Sequence, residues 1–101
     1  MKELDPLLHS QLRLAVVSIL MSVDEADFVY LRKETESTAG NLSVQLDKLV
    51  EAGYINTQRI LEGKKTRTLC RMTKKGKKAF EDYVEALKDY LDISAKTKKG
   101  K

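Results

Sequence analysis

Between Ala39 and Met72 the sequence changes its hydrophobic period once, and abruptly. Ala39, Leu42, Leu46 and Leu49 recur at spacings of three, four and three, which aligns them on one face of a helix. Gly53 follows, and its missing Cβ suits the left-handed conformation that ends helices. From Tyr54 to Leu61 the residues become β-branched and polar, Glu62-Gly63-Lys64-Lys65 reads as a turn, and Thr66 to Met72 returns. A helix that runs straight into a β-hairpin leaves few small architectures open.

The flanks narrow the choice. Asp5-Pro6 suits a cap with proline in the first turn, and Leu8, Leu12, Val16, Ile19, Leu20 and Val23 then follow helical spacing. Leu14, Val17 and Met21 form a second apolar line on the other side of this first helix, so it must be covered twice, by a second layer or a second subunit. Asp24-Glu25-Ala26-Asp27 supplies caps for a short helix through Phe28, Leu31 and Glu34. Thr35-Glu36-Ser37 then turns, with Ser37 as the expected cap of the third helix; short helix, tight turn and longer helix make a helix-turn-helix. Thr73 can cap a last helix with two adjacent seams, Phe80, Val84, Leu87 and Leu91 beside Ala79, Tyr83, Ala86, Tyr90 and Ile93. Such a pair of seams fits a helix that packs on its own domain with one and on a partner with the other. The tail 94–101 has no apolar pattern and is expected to be disordered, leaving 1–93 as the domain. A chain of 101 residues supports one core and little room for a deep catalytic cleft.

The chain carries one cysteine, Cys70, and one histidine, His9. That excludes an internal disulfide and a cysteine-rich zinc site, and it removes most nucleophile-base schemes, so neither an enzyme nor a cofactor is expected. Cys70, among alternating strand residues, reads as a small buried hydrophobe, and His9 as a structural or exposed residue. Leu14 to Val23 is too short to span a bilayer, which needs about 20 apolar residues, and its acidic flanks are wrong for a secretion leader. The expected setting is the cytoplasm, with no membrane partner.

The net charge of +4 conceals a strong asymmetry. Met1 to Gly53 holds five basic and nine acidic residues, Tyr54 to Ala79 nine and one, and Phe80 to Lys101 five of each. The basic excess therefore lies in the hairpin and the start of the last helix, and it points to an anionic partner, nucleic acid before membrane.

Helix, helix-turn-helix, hairpin and closing helix is the order of a winged helix: mainly α with a small β-hairpin, a three-helix core plus a wing, and a C-terminal dimerisation helix. The residues agree. Leu4-Asp5-Pro6 with Arg13, Phe28-x-x-Leu31, Gly40-Asn41-Leu42-Ser43-x-Gln45-Leu46-x-x-Leu49-x-x-Ala52-Gly53-Tyr54-Ile55, Gly63-Lys64-Lys65 and Met72-Thr73-x-x-Gly76 stand in order over about Leu4 to Leu91. In these blocks the chain resembles the short winged helix-turn-helix transcriptional regulators of the multiple-antibiotic-resistance and arsenic-resistance repressor groups. It departs from them at Gln45, where histidine is common, at Cys70, where an aromatic is usual, and at Met72, which replaces leucine. The resemblance implies a homodimer on operator DNA, third helix in the major groove and wings on the backbone or minor groove.

With its leucines inward, the third helix turns Gly40, Val44, Asp47 and Glu51 outward, with Asn41 and Lys48 on a flank. Thr38 and Asn41 are placed for base edges or a phosphate, Gln45 for adenine, Val44 for a thymine methyl and Lys48 for a phosphate. Asp47 and Glu51 limit how deeply the end of this helix enters. Lys64, Lys65 and Arg67 form the wing tip with Arg59 along the strand, and Arg32 and Lys33 on the short helix are candidates for the DNA backbone. Lys74, Lys75, Lys77 and Lys78 sit about 20 Å of strand behind the tip and are expected to be solvated or to act in long-range steering. Leu14, Val17 and Met21 of the first helix and Tyr83, Leu87, Tyr90 and Leu91 of the last are the expected dimer interface.

The same residues admit plainer roles. Asn41 and Gln45 could be ordinary solvated or capping residues, and a lysine-rich loop also serves solubility. The leading expectation is a homodimeric, sequence-specific double-stranded DNA-binding regulator, most simply a repressor on a twofold-symmetric operator. Its rival is a winged-helix protein-protein interaction module with little DNA affinity. Single-strand binding is weaker, since there is no tryptophan and the four tyrosines do not interleave with the basic run. The cleft between the first and last helices could hold a small-molecule effector, though no residue demands one.

Overall fold

The computed structural model describes residues 3–99, with side chains for 3–92. Its elements are α1 (Gln11–Met21), β1 (Ala26–Asp27), α2 (Phe28–Thr35), α3 (Ala39–Glu51), β2 (Ile55–Glu62), β3 (Lys65–Met72) and α4 (Lys74–Lys99). This is a winged helix with four helices and a small antiparallel sheet.

Asp5-Pro6 does not open the first helix. The Asp5 carboxylate accepts from Leu7 N at 2.9 Å and its carbonyl from Leu8 N and His9 N, closing a separate turn before α1 begins at Gln11. That turn delivers Leu8, fully buried, into the core beside Val16, Val17 and Leu20.

The sheet has three strands where two are expected. Ala26 pairs with Cys70 and Asp27 with Leu69, giving the order β1-β3-β2. Asp27 also caps α2 as expected, its Oδ1 accepting from Tyr30 N at 2.8 Å. A strand of two residues has no readable period, so only its partner reveals it.

After α2, Glu36 takes a left-handed conformation at φ 54° and the chain turns into α3. The cap of α3 is Thr38, whose hydroxyl oxygen accepts from Asn41 N at 3.1 Å, and not Ser37, whose hydroxyl instead meets Thr35 Oγ1 at 2.8 Å. Leu42, Leu46 and Leu49 are buried as their spacing requires, each worth about 1.5–3 kcal/mol of transfer free energy. Gly53 ends the segment at φ 79°.

β2 and β3 pair without interruption from Ile55↔Met72 to Glu62↔Lys65, around Gly63-Lys64. Gly63 at φ 63° holds the first central position of this two-residue turn, where positive φ favours glycine. Only the base of the hairpin is buried, through Ile55, Leu69 and Cys70; the distal half stands in solvent.

Thr73 anchors α4 in two ways: its hydroxyl donates to Gly53 O at 2.6 Å and accepts from Gly76 N at 2.9 Å. Tyr83 and Ala86 turn into the domain, whereas Leu87 and Leu91 point away, 37% and 62% exposed. The seam of Tyr83 and Ala86 thus packs on the domain, while the other, whose Phe80 also touches the core, opens to solvent toward Leu87 and Leu91. The helix extends to Lys99, and it includes part of the segment expected as a tail from Ser94; residues 100–101 and all side chains from 93 onward lie outside the described residues.

Candidate nucleic-acid interface

Two exposed surfaces follow α2: the outer face of α3 and the free half of the hairpin. On α3, Thr38, Asn41, Val44 and Lys48 are exposed, with Val44 half open. Thr38 has a fixed task as the cap, and this holds Asn41 N in the first turn.

Gln45 is not free. It is half-buried, its Oε1 accepts from Arg13 Nη1 and its Nε2 donates to Asn41 Oδ1 at 3.1 Å. The expected bidentate contact of Gln45 with adenine would have to compete with these partners, since each end of its amide already holds one bond. Arg13 also donates through Nε to Leu7 O at 2.6 Å, so it ties the N-terminal turn to α3. Sequence reasoning left Arg13 without a role. Its signals are its place in the family-like block with Leu4-Asp5-Pro6 and its position as a cation between apolar lines of α1. Asn41 and Gln45 border a concavity of about 430 Å³ with Ser10, Gln11 and Ser37, where α1 begins beside the α2–α3 turn.

On the wing, Arg59, Lys64 and Lys65 are exposed as expected. Arg67 is not a free tip residue. Its guanidinium donates to Asp27 Oδ2 at 3.0 Å and to Glu62 Oε2 at 3.0 Å, and it lies along the strand between them. Both acids raise its pKa further, Glu62 first. The same contact helps hold the Asp27 carboxyl below the usual range, after the larger effect of the Tyr30 N–H. Arg71 likewise pairs with Glu25 at 2.6 Å. Two of the block's arginines thus fasten the sheet, and the wing's free charge is mainly lysine.

Arg32 and Lys33 are exposed on α2, with Arg32 Nε donating to Ser37 O at 3.3 Å. Of the four lysines at the start of α4, Lys78 pairs with Asp82 at 2.8 Å and Lys75 lies 5.9 Å from the centre of the Tyr54 ring.

The expected dimer residues also divide. Val17 is fully buried and Tyr83 is 4% exposed within the single chain, so both belong to its core and are corrected as interface residues. The Tyr83 hydroxyl meets His9 Nδ1 at 2.9 Å, a structural pairing for the lone histidine. Leu14, Met21 and Tyr90 are partly exposed; Leu87 and Leu91 are open. The cleft between the first and last helices is an open groove of about 320 Å³ lined by Met21, Phe80, Val84, Glu81, Glu85 and Lys88.

Cys70 is fully buried, as expected of a small hydrophobe. Burial, then the charge of Asp27, pushes its thiol up to about 11, so it stays protonated at neutral pH. Tyr54 donates to Asp5 Oδ2 at 2.5 Å, and burial followed by this acid raises its phenol to about 12. A raised folded-state pKa leaves stability intact below the ordinary phenol value of 10.0 and removes it as pH rises through about 12. We expect alkaline loss of structure over that window, with a smaller loss in Tyr54→Phe. Circular dichroism against pH checks this, and identical alkaline limbs for the two proteins would contradict it.

Helix-turn-helix, basic wing and a flanking long helix define a winged-helix DNA-binding domain, and comparison places the chain there. It belongs to the family described as the winged helix DNA-binding domain, whose model matches residues 12–91. An uncharacterised protein of Methanocaldococcus jannaschii is 30% identical over 76 residues, 75% of this chain and 83% of that one. A transcriptional regulator homologue of Pyrococcus horikoshii has the same fold, with a TM-score of 0.79 at 24% identity over 85% of each chain. A zinc-responsive regulator of the multiple-antibiotic-resistance family from Lactococcus lactis shares it at TM-score 0.59 and 18% identity, over 86% of this chain and 61% of that one. The winged-helix DNA-binding fold read from the sequence blocks is thereby confirmed. Among the described residues no helix is long and apolar enough to cross a membrane.

Proposed function

We propose that this chain is a sequence-specific double-stranded DNA-binding regulator that acts as a homodimer in the cytoplasm and represses by occluding a promoter. The observation that carries the reading is an exposed polar helix, α3, joined through Gly53 to a two-stranded wing whose free cations are Arg59, Lys64 and Lys65. A helix of this kind fits the major groove while the wing meets phosphates. The outward seam of α4, with Leu87 and Leu91 exposed beside Phe80 and Val84, supports the homodimer. Two copies would read two half-sites about 10 bp apart or at a multiple of that. An effector in the groove between α1 and α4 would bear directly on the same helix.

Titration of labelled duplexes against salt tests this. Tight binding near 50 mM salt with a preference for a twofold-symmetric site is the expected result. Absence of affinity for any duplex would favour the rival role as a protein-interaction module.

The double variant Lys64→Ala, Lys65→Ala should weaken binding to cognate and random duplexes alike and lower the slope of log affinity on log salt by about 1–2, since each phosphate contact contributes roughly 0.9. An unchanged slope would remove the wing tip from the interface.

A further inference from the structure

Arg13, Gln45 and Asn41 form a chain of hydrogen bonds with a fixed direction. Arginine has donors and no acceptor, so the atom that meets it must be an oxygen. Arg13 Nη1 therefore meets Gln45 Oε1, while its Nε donates to Leu7 O at 2.6 Å and holds the guanidinium in place. With its oxygen so engaged, Gln45 can offer only Nε2 to its neighbour four residues back, and this donates to Asn41 Oδ1 at 3.1 Å. Asn41 is exposed, and its oxygen is turned toward Gln45. The end of the amide that turns away from Gln45 is Nδ2, with two N–H groups.

We propose that Arg13 sets the base preference of the recognition helix by orienting the Asn41 amide, through Gln45, so that it presents donors outward. This rests on the DNA-binding reading above and deepens it. Arg13 is a positioning residue: it lies half-buried on α1 and acts through two amides. An asparagine free to turn reads adenine bidentately, its oxygen accepting from N6 and its nitrogen donating to N7. Here the oxygen is held along the helix toward Gln45, and the N–H groups at the other end of the amide would meet the N6 donor of adenine unfavourably. Guanine, with N7 and O6 both acceptors, and thymine, with O4, fit a donor pair. Arg13's positive charge at the inner end of the chain polarises each successive N–H in the same sense.

Selection from random duplexes by the full chain, with binding constants measured on single-base variants of the selected site, tests the proposal. Asn41→Ala marks the base position that Asn41 reads. There the wild type should prefer guanine or thymine over adenine by roughly tenfold or more. Gln45→Glu should reverse the preference. Its carboxylate still receives Arg13 but has no donor for Asn41 Oδ1; the Asn41 amide then turns its N–H inward and its oxygen outward, toward the adenine N6 or cytosine N4 donor. Arg13→Met should flatten the preference, and Arg13→Lys, which keeps a donor-only cation, should restore part of it. A merely structural role would lower affinity for all sequences without changing the preferred base. Selection of adenine by the wild type, or the same preferred base in the wild type and Gln45→Glu, overturns the proposal. Failure to bind any duplex overturns the DNA-binding reading itself. Melting curves confirm that each variant is folded, and if Arg13→Met melts early, Gln45→Glu, which keeps the Arg13 contact, carries the test.

Discussion

Replacing Gly76 with alanine will cost about 3 kcal/mol or more, at the upper end of what overpacking a closed site does. A Cβ built at this position falls 2.1 Å from the carbonyl oxygen of Tyr54 and 2.8 Å from its carbonyl carbon. These are backbone atoms, so no side-chain rotation relieves the contact. The first turn of α4 would have to lift from Gly53-Tyr54, breaking the bonds Thr73 N→Tyr54 O at 3.0 Å and Thr73 Oγ1→Gly53 O at 2.6 Å. In a domain whose whole stability is roughly 5–15 kcal/mol, such a loss lowers the melting temperature by about 10 °C or more. Gly40→Ala is the control. Nothing lies within 4 Å of a Cβ there, and the residue sits in α3, so the exchange should gain about 0.5–1 kcal/mol from helix propensity. Thermal denaturation of both variants decides; a Gly76→Ala protein as stable as the wild type would mean that α4 does not seat on Tyr54.

Leu87→Lys should convert the protein to a monomer and reduce affinity for a two-half-site operator by about a hundredfold, while affinity for a single half-site stays near its wild-type value. Leu87 is 37% exposed and lies on the seam of α4 that turns away from the domain, so a lysine there can reach solvent without disturbing the chain's own core. Against a partner helix the same ammonium would be desolvated and unpaired. Linking two weak half-sites through a dimer supplies effective concentration, and an interface that fails forfeits it, commonly by 10²–10⁴. Sedimentation and duplex titration read the two effects separately. A variant still dimeric would place the interface elsewhere on the molecule.

On the proposed reading, dimerisation would carry particular weight, because free positive charge is scarcer than the count of basic residues suggests. Nine cations lie between Tyr54 and Ala79, but Arg67, Arg71 and Lys78 are held by acids, and α3 carries Asp47 and Glu51 on its outer side. One subunit would then offer a modest electrostatic hold on DNA, and most of the free cations of the wing are lysines at or near its tip.

Much of the fold was legible because its signals are local. The spacing of Leu42, Leu46 and Leu49 buried that face of α3, Gly53 ended the segment in a left-handed turn, and Gly63 placed the hairpin turn. The misread boundaries also have local causes. Asp5-Pro6 carries the chemistry of a helix start but is used by a turn, and Thr38 and Ser37 are near-equivalent cap residues, between which the sequence offers no preference. The candidate site was less legible. Asn41, Lys48, Lys64 and Lys65 are exposed where expected, but Gln45 and Arg67 have protein partners, and Val17 and Tyr83 lie inside the chain's own core.

The amino-acid sequence by itself determined the order of elements, the leucine face of α3, the basic hairpin and the pair of apolar seams on α4, since periodicity and turn chemistry act over a few residues. Only the tertiary structure decided which polar groups remain available to a partner. The bonds that settle this join Arg13 to Gln45 over 32 positions, Asp27 to Arg67 over 40, Glu25 to Arg71 over 46 and His9 to Tyr83 over 74. The two-residue strand β1 arises in the same way, by pairing with β3 far along the chain. No period encodes such partners: each side chain has several suitable mates in the sequence, and packing brings one of them within reach.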